Sequence, residues 1–241
     1  MGDPVTPSGD QAKVLAIVGL SKEARLAAGR GVEAVGAGGS PHRLRDLLGA
    51  RDATGLRAVV SFGIAGGLGP DLLPGDVVVA SGILCDGERH ATDAAVSAAI
   101  TRRLGGLGKS PVMADLAGVD AAVLSVDAKH ELRNRTGAAA VDMESHVAAA
   151  FARRHGLPFA AIRVVCDPAH RALPAFVATA LKPNGDPDIR AVLAALARGQ
   201  VGIGVLIRLA RDSSAAFTSL NHCRALLGRG LGVPEASIGS G

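Results

Sequence analysis

The chain has 241 residues, with 26 Lys+Arg against 22 Asp+Glu for a net charge of +4, and 48% of it is apolar. That length and apolar share are enough to bury roughly 70 to 75% of the unfolded surface, which excludes an intrinsically disordered chain and points to one globular domain. The longest run free of Asp, Glu, Lys and Arg is Ala58 to Pro70, thirteen residues, short of the roughly 18 to 20 that span a bilayer. Five Phe with no Tyr or Trp offer few platforms for stacking bases, so nucleic acid is not an expected partner.

Residues 1–12 are polar, hold two prolines and lack a charged-then-apolar leader pattern. They read as a flexible tail on a cytoplasmic protein, ahead of one catalytic domain at 13–230 and a second flexible tail at 231–241. Cys85, Cys166 and Cys223 lie far apart with no metal-ligand spacing, so neither a disulfide framework nor a metal site is expected.

In chain order, apolar runs predict strands at Lys13–Val18, Val32–Val35, Ala58–Phe62, Asp76–Ser81, Val123–Val126, Ala138–Val141 and Phe159–Val165. They alternate with Ala-rich and Arg-rich helical stretches, the pattern of an α/β fold with a buried, mostly parallel sheet. From Asp188 onward the period turns helical: Ile189, Val192, Leu193 and Leu196 share one face, and Leu206, Leu209, Phe217, Leu220 and Leu227 share another beyond Gly199–Gly204. This predicts two packed C-terminal helices. Arg208, Arg211 and Arg224 lie opposite the second stripe, so a surface role is the alternative there.

Unusual residues follow most of these strands. Gly19 follows the first, Gly36–Gly39 the second, and Gly63-Ile64-Ala65-Gly66-Gly67 the third. Neither glycine cluster has dinucleotide or Walker spacing, and each reads as a tight turn or a ligand cradle. Asp142-Met143-Glu144 sits between an apolar run and a helix. Glu144 there is a natural first-turn carboxylate, yet two carboxylates flanking a methionine at a strand end also suit a vicinal diol. Asp167 ends the run Phe159–Cys166, which only Arg163 breaks; it is either a turn starter or a general acid beside apolar walls. Glu23 reads as a helix-capping carboxylate behind Ser21 as N-cap.

Together these pieces resemble the nucleoside phosphorylase and nucleosidase superfamily. The features that carry the likeness are Gly19-Leu20-Ser21-Lys22-Glu23-Ala24-Arg25, Ser61-Phe62-Gly63-Ile64-Ala65-Gly66-Gly67-Leu68, Leu73-Pro74-Gly75-Asp76-Val77, Val141-Asp142-Met143-Glu144-Ser145 and Val165-Cys166-Asp167, in order over residues 13 to 170. Within the superfamily the chain is most similar to the hopanoid-biosynthesis-associated phosphorylases, through Asp86-Gly87-Glu88-Arg89, Thr92-Asp93, Ser145-His146-Val147-Ala148, His155-Gly156-Leu157-Pro158 and Ile207-Arg208-Leu209-Ala210-Arg211-Asp212.

The resemblance implies a three-layer α/β/α sandwich of the purine nucleoside phosphorylase type, with a mostly parallel mixed sheet, assembled as a homo-oligomer. It implies that Asp167 protonates the leaving purine, Glu144 holds the ribose hydroxyls, Met143 lies against the sugar and Glu23 activates water. Asp142, Ile64, Ala65, Gly66 and Cys166 would line the substrate. Gly19, Arg25, Arg43 and Arg89 would hold phosphate if phosphate is used. The implied substrate is a small or lipid-linked nucleoside, adenosylhopane above all, with adenine as product and no metal or cofactor. A transient contact with the membrane surface, at the periphery of the inner membrane, would accompany a lipid substrate.

Ile64 stands where relatives carry Ser or Thr, and Glu23 would repel an anion, so water is favoured over phosphate as nucleophile. The alternatives are phosphorolysis of a small soluble purine nucleoside and a non-catalytic nucleoside-binding module. No aromatic for stacking a purine is evident in Ser125–His130, and the short link from the first helix to the second strand would leave the 5′ side of the sugar open to a bulky apolar group. Residues Ala172–Ala178 would form its apolar lip.

Overall fold

The computed structural model describes residues 12–178, 182, 188 and 194–235. Eight strands make one sheet: β1 (Lys13–Val18), β2 (Val32–Gly36), β3 (Leu56–Gly67), β4 (Val77–Cys85), β5 (Glu88–Ala91), β6 (Val112–Gly118), β7 (Ala140–Asp142) and β8 (Phe159–Asp167). The helices are α1 (Ser21–Ala27), α2 (Pro41–Gly49), α3 (Ala94–Leu104), α4 (Val126–Thr136), α5 (Ser145–Arg154) and α6 (Ile203–Leu227). The sheet runs β2-β1-β3-β7-β6-β4-β5, and β8 pairs with both β3 and β4. That second pairing joins β3, β7, β6, β4 and β8 into a ring, so the middle of the sheet curls on itself. Pairing is parallel for β1–β2, β1–β3, β3–β8, β4–β6 and β6–β7, and antiparallel for β3–β7, β4–β5 and β4–β8.

The core explains why the strands read as unbroken apolar runs. Val14, Ala16 and Val18 join Val60, Phe62, Ile100, Leu220 and Leu227 on one face, whereas Leu15 and Ile17 join Val59, Leu44, Leu48, Val147 and Phe151 on the other. Successive side chains alternate across a strand, so a sheet covered on both faces needs apolar residues at every position. Helices α1, α3 and α6 lie on the first face and α2 and α5 on the second, giving the three layers. No helix among the described residues is long and apolar enough to cross a membrane.

Three expectations need correction. Residues Val123–Val126 are not a strand: Ser125 N-caps α4, its side chain accepting from Ala128 N at 3.1 Å, and this capping signal overrides a four-residue apolar run. Gly63–Gly67 is not a loop, because β3 continues to Gly67 along β8 and β7. Ser21 is the first helical residue, with Leu20 at the N-cap position. Strands β5 and β6 add to the expected set. β5 is a polar edge strand, joined to β4 through Asp86 (φ 52°) and Gly87 (φ 79°), left-handed values that suit a tight hairpin. β6 is interrupted by Asp115, whose carboxylate accepts from Arg89 and Ser81.

At the C-terminus, α6 buries Phe217, Leu220 and Leu227 as the stripe requires, while Ile203 and Ile207 near its start are exposed. Residues 189–193 of the other expected helix lie outside the described residues, as do 1–11 and 236–241 of the expected tails. Leu231 and Val233 are buried and Arg57 Nη1 donates to Val233 O at 3.2 Å, so packing continues past the expected boundary at 230.

Candidate active site

Glu23 occupies the first turn of α1 and is 1% exposed. Its Oε2 accepts from Gly19 N and Leu20 N at 2.8 Å, and its Oε1 accepts from Ile64 N at 2.7 Å. The capping reading and a site reading therefore both hold, since one oxygen closes the helix start and the other crosses to β3. Burial pushes the carboxyl up from its ordinary value, against the pull of Arg163 and of the three N–H donors.

Arg163 ties the cluster together. It lies mid-strand in β8, fully buried, where its Nε donates to Asp142 Oδ2 at 3.0 Å, its Nη2 to Ser61 Oγ at 2.6 Å and its Nη1 to Ile64 O at 3.4 Å. Glu144 Oε2 is 3.4 Å from Nη2. A buried guanidinium is tolerated only when its donors are matched in this way. In the sequence Arg163 stands out only as the break in an apolar run. A lone cation inside an otherwise buried strand was the signal, because such a charge needs partners.

Asp142 supplies one of those partners and little else. Its Oδ1 accepts from Glu144 N at 2.9 Å and Ser145 N at 2.7 Å, and its Oδ2 from Ser145 Oγ at 2.6 Å as well as Arg163 Nε. All four acceptor directions of the carboxylate are filled. Asp142 thus accepts from the main chain that opens α5 and anchors Arg163.

Glu144 is 8% exposed. Burial raises its carboxyl to about 8, with Asp142 and Glu23 adding to the rise and Arg163 opposing it. A Cβ placed on Gly19 would lie 2.7 Å from Glu144 Oε1, so the glycine leaves room for that carboxylate. Gly63 does the same for the neighbouring pair, since a Cβ there would lie 2.5 Å from Glu23 Oε1 and 2.6 Å from Arg163 Nη1. Glycines inside strands commonly mark such close approaches. The second glycine cluster supports Gly19 from outside, Gly39 N donating to Gly19 O at 2.9 Å. Met143, Ile64, Gly66 and Cys166 are half-buried and Ala65 is buried.

Asp167 closes β8, where the ladder slips by one residue so that Gly66 faces Asp167 after Ala65 faces Val165. Cys166 is the extra residue. Bulges of this kind re-aim the side chain that follows. A Cβ on Gly66 would be 3.2 Å from Asp167 Oδ2, and Gly66 lies three residues, roughly 10 Å of strand, beyond Gly63 in β3. The Cys166 thiol, pushed up to about 12 chiefly by burial, also feels both Asp167 and Glu23. Burial raises the Asp167 carboxyl, while Lys129 draws it back down. Lys129 is fully buried, with Nζ 2.5 Å from Asp167 Oδ2, and nothing in its sequence setting singled it out.

The three arginines expected around phosphate do not join this cluster. Arg89 forms a bidentate pair with Asp115 and lines a cavity of 530 Å³ with Pro158 and Phe159, at the opposite end of β8 from Asp167. Arg25 is exposed, and two residues along a helix from buried Glu23 it points to the other side. Arg43 is exposed in the first turn of α2, its N–H donating to Ser40 Oγ at 3.3 Å. The physical reason is common to all three: helix and edge positions turn these side chains outward, whereas Arg163 is carried inward by a central strand.

Residues 41–198 match the phosphorylase superfamily, and the chain belongs to it. Among solved structures it is similar to the Helicobacter pylori 5′-methylthioadenosine/S-adenosyl homocysteine nucleosidase (16% identity, TM-score 0.64, covering 90% of this chain and 98% of that one). It is similar to the S-adenosylhomocysteine nucleosidase of Streptococcus pyogenes (16% identity, TM-score 0.64, covering 92% and 100%) and to the H. pylori futalosine hydrolase (16% identity, TM-score 0.59, covering 87% and 97%). At such identities the likeness is one of fold. No curated protein matches the sequence.

Proposed function

We propose that this protein cleaves the N-glycosidic bond of a purine nucleoside by attack of water at C1′, with adenosylhopane as substrate and adenine as the leaving base. One observation carries the reading: Glu23, Glu144 and Asp167 come from three distant stretches of chain and are all buried around Gly19, Gly63 and Gly66. N-glycoside cleavage passes through a sugar with oxocarbenium character, so a site must neutralise the departing base, tolerate positive charge on the pentose and present a nucleophile. In this assignment the sugar lies between Glu144 and Glu23, Met143 packs against it, and Asp167, at the end of β8 beside Gly66, delivers a proton to the base. Glu23 keeps one acceptor direction beyond its three N–H donors, enough to orient a water. Arg163 lies 3.4 Å from Glu144 Oε2 and acts on Glu23 by charge across the Ile64 peptide, whose N–H bonds to Glu23 and whose C=O accepts from Arg163.

The charge balance supports water over phosphate. Around Arg163 stand three carboxyls, Glu23, Asp142 and Glu144, so acidic side chains already surround the one buried cation of the group. That suits a cationic sugar and disfavours a dianion. The resemblance to the hopanoid-biosynthesis-associated phosphorylases supplies the lipid-linked substrate, and a homo-oligomer transiently touching the membrane surface belongs to the same proposal. Adenine release from adenosylhopane, adenosine and 5′-methylthioadenosine, each with and without phosphate, tests it. Phosphate-independent release, fastest from adenosylhopane, is the expected result. Strict dependence on phosphate would replace hydrolysis by phosphorolysis, and ligand binding without release would leave only a nucleoside-binding module.

A further inference from the structure

Lys129 has a hydrogen-bonding arrangement that a buried ion pair does not require. Its side chain is fully enclosed, and Nζ donates to Asp167 Oδ2 at 2.5 Å, to Pro168 O at 3.0 Å and to Arg171 O at 2.9 Å. An ammonium has three protons, so each acceptor receives one. Two of the acceptors are main-chain carbonyls of the turn that leaves β8, which wraps around the nitrogen. If the third proton moves to Asp167, the amine that remains keeps both N–H bonds to the carbonyls and turns its lone pair toward the carboxyl. No buried group is left without a partner in either protonation state.

We infer that Lys129 is a proton-relay residue behind Asp167: it positions that carboxyl and supplies, through it, the proton taken by the leaving base. The inference rests on the N-glycosidase reading above. In the step, a proton passes from Nζ to Asp167 and from Asp167 to a ring nitrogen of the base. The C1′–N bond breaks with its electron pair going to the base, and Asp167 is again a carboxylate beside a neutral amine. Water adds its hydroxyl to C1′ and Glu23 takes the released proton; solvent then returns a proton to Lys129 and removes one from Glu23. Among the described residues the charged and titratable groups around Asp167 are Lys129 from α4, the adjacent Cys166 thiol, and Arg171 from the turn, itself paired with Asp212 of α6. Gly66, the neighbour from β3, brings no charge.

A purely structural cation and a relay predict opposite movements of the alkaline limb of kcat. If Asp167 alone carried the proton, removing the ammonium that favours its ionised form would raise its pKa, and Lys129→Met would stay active to higher pH than wild type. In a relay the active form is the pair that still holds the ammonium proton, so wild type stays active well above the carboxyl's own titration and Lys129→Met moves the limb to lower pH. The experiment measures kcat from pH 5 to 10 on whichever of adenosylhopane, adenosine and 5′-methylthioadenosine is cleaved fastest. Lys129→Arg is measured beside it, since Arg keeps the charge and does not give up its proton; a relay predicts a loss of about 10²-fold for it across the range. A limb that moves up in Lys129→Met, or a Lys129→Arg enzyme as active as wild type, overturns the relay alone. Wild-type protein that releases adenine from none of the three nucleosides overturns the N-glycosidase reading and the relay with it.

Discussion

The substitution Gly63→Ala tests the site at its tightest point. A methyl group at this position would sit 2.5 Å from Glu23 Oε1, 2.7 Å from Glu23 Cδ and 2.6 Å from Arg163 Nη1, where ordinary contacts begin at 3.4 Å. Relief therefore demands a displacement of about 0.9 Å, the difference between 3.4 and 2.5 Å. Neither neighbour is free to give way. Glu23 is held by Gly19 N, Leu20 N and Ile64 N, and Arg163 by Asp142, Ser61 and Ser145. Overpacking of a fixed environment costs about 1–3 kcal/mol, and a misplacement near 1 Å of a group that orients a reactant costs about 10²-fold in rate. We expect Gly63→Ala to unfold more readily in urea by that amount and to lose about 10²-fold in kcat. Gly49→Ala, at the end of α2 with nothing within 4 Å of the added methyl, is the control; it should leave kcat unchanged and be neutral or stabilising by up to about 1 kcal/mol. A Gly63→Ala protein with wild-type turnover would refute the placement of Glu23 and Arg163 in the reaction.

Asp167→Asn should lower adenine release by about 10²-fold or more if this carboxyl protonates the base, and near-normal turnover would remove it from the mechanism. Glu23→Gln should abolish hydrolysis while sparing any phosphate-dependent reaction, and because an amide NH2 would face a backbone donor it should also cost about 1–3 kcal/mol in a denaturation curve. The opposite kinetic pattern would reverse the choice of nucleophile. Burial raises Glu144 from 4.5 to about 8 and raises Glu23 and Asp167 as well, so the folded state holds protons that the unfolded chain has released. The stability this provides is complete below the ordinary carboxyl values and is lost as pH climbs, for Glu144 between about 4.5 and 8. Urea midpoints should therefore fall from pH 6 to pH 8.5, and less steeply in Glu144→Gln; a midpoint that rises over this range would contradict the burial of these acids.

The sheet was legible in the sequence because a strand covered on both faces must be apolar at every position. Lys13–Val18 and Phe159–Val165 show that directly, and their limits agree with β1 and with all but the last two residues of β8. Residues whose environment differs from that rule were harder to read. The polar edge strand β5 lacks a buried face, and β6 carries Asp115 for an ion pair with Arg89, a partner 26 residues away in sequence. Gly63–Gly67 looked like a loop because glycine is usually a breaker, whereas here the missing side chains make room for Glu23, Arg163 and Asp167.

Local sequence thus determined the fold class, the acids at the strand ends and the order in which they occur, since period, capping chemistry and composition act over a few residues. Tertiary structure alone decided their partners. Only the pairing of β8 beside β3 brings Arg163 to Glu23, Asp142 and Glu144, only the packing of α4 brings Lys129 to Asp167, and the same packing leaves Arg25, Arg43 and Arg89 outside the cluster. Charge interactions depend on distance through space, and distances between segments a hundred residues apart are set by how strands align and helices pack rather than by any motif.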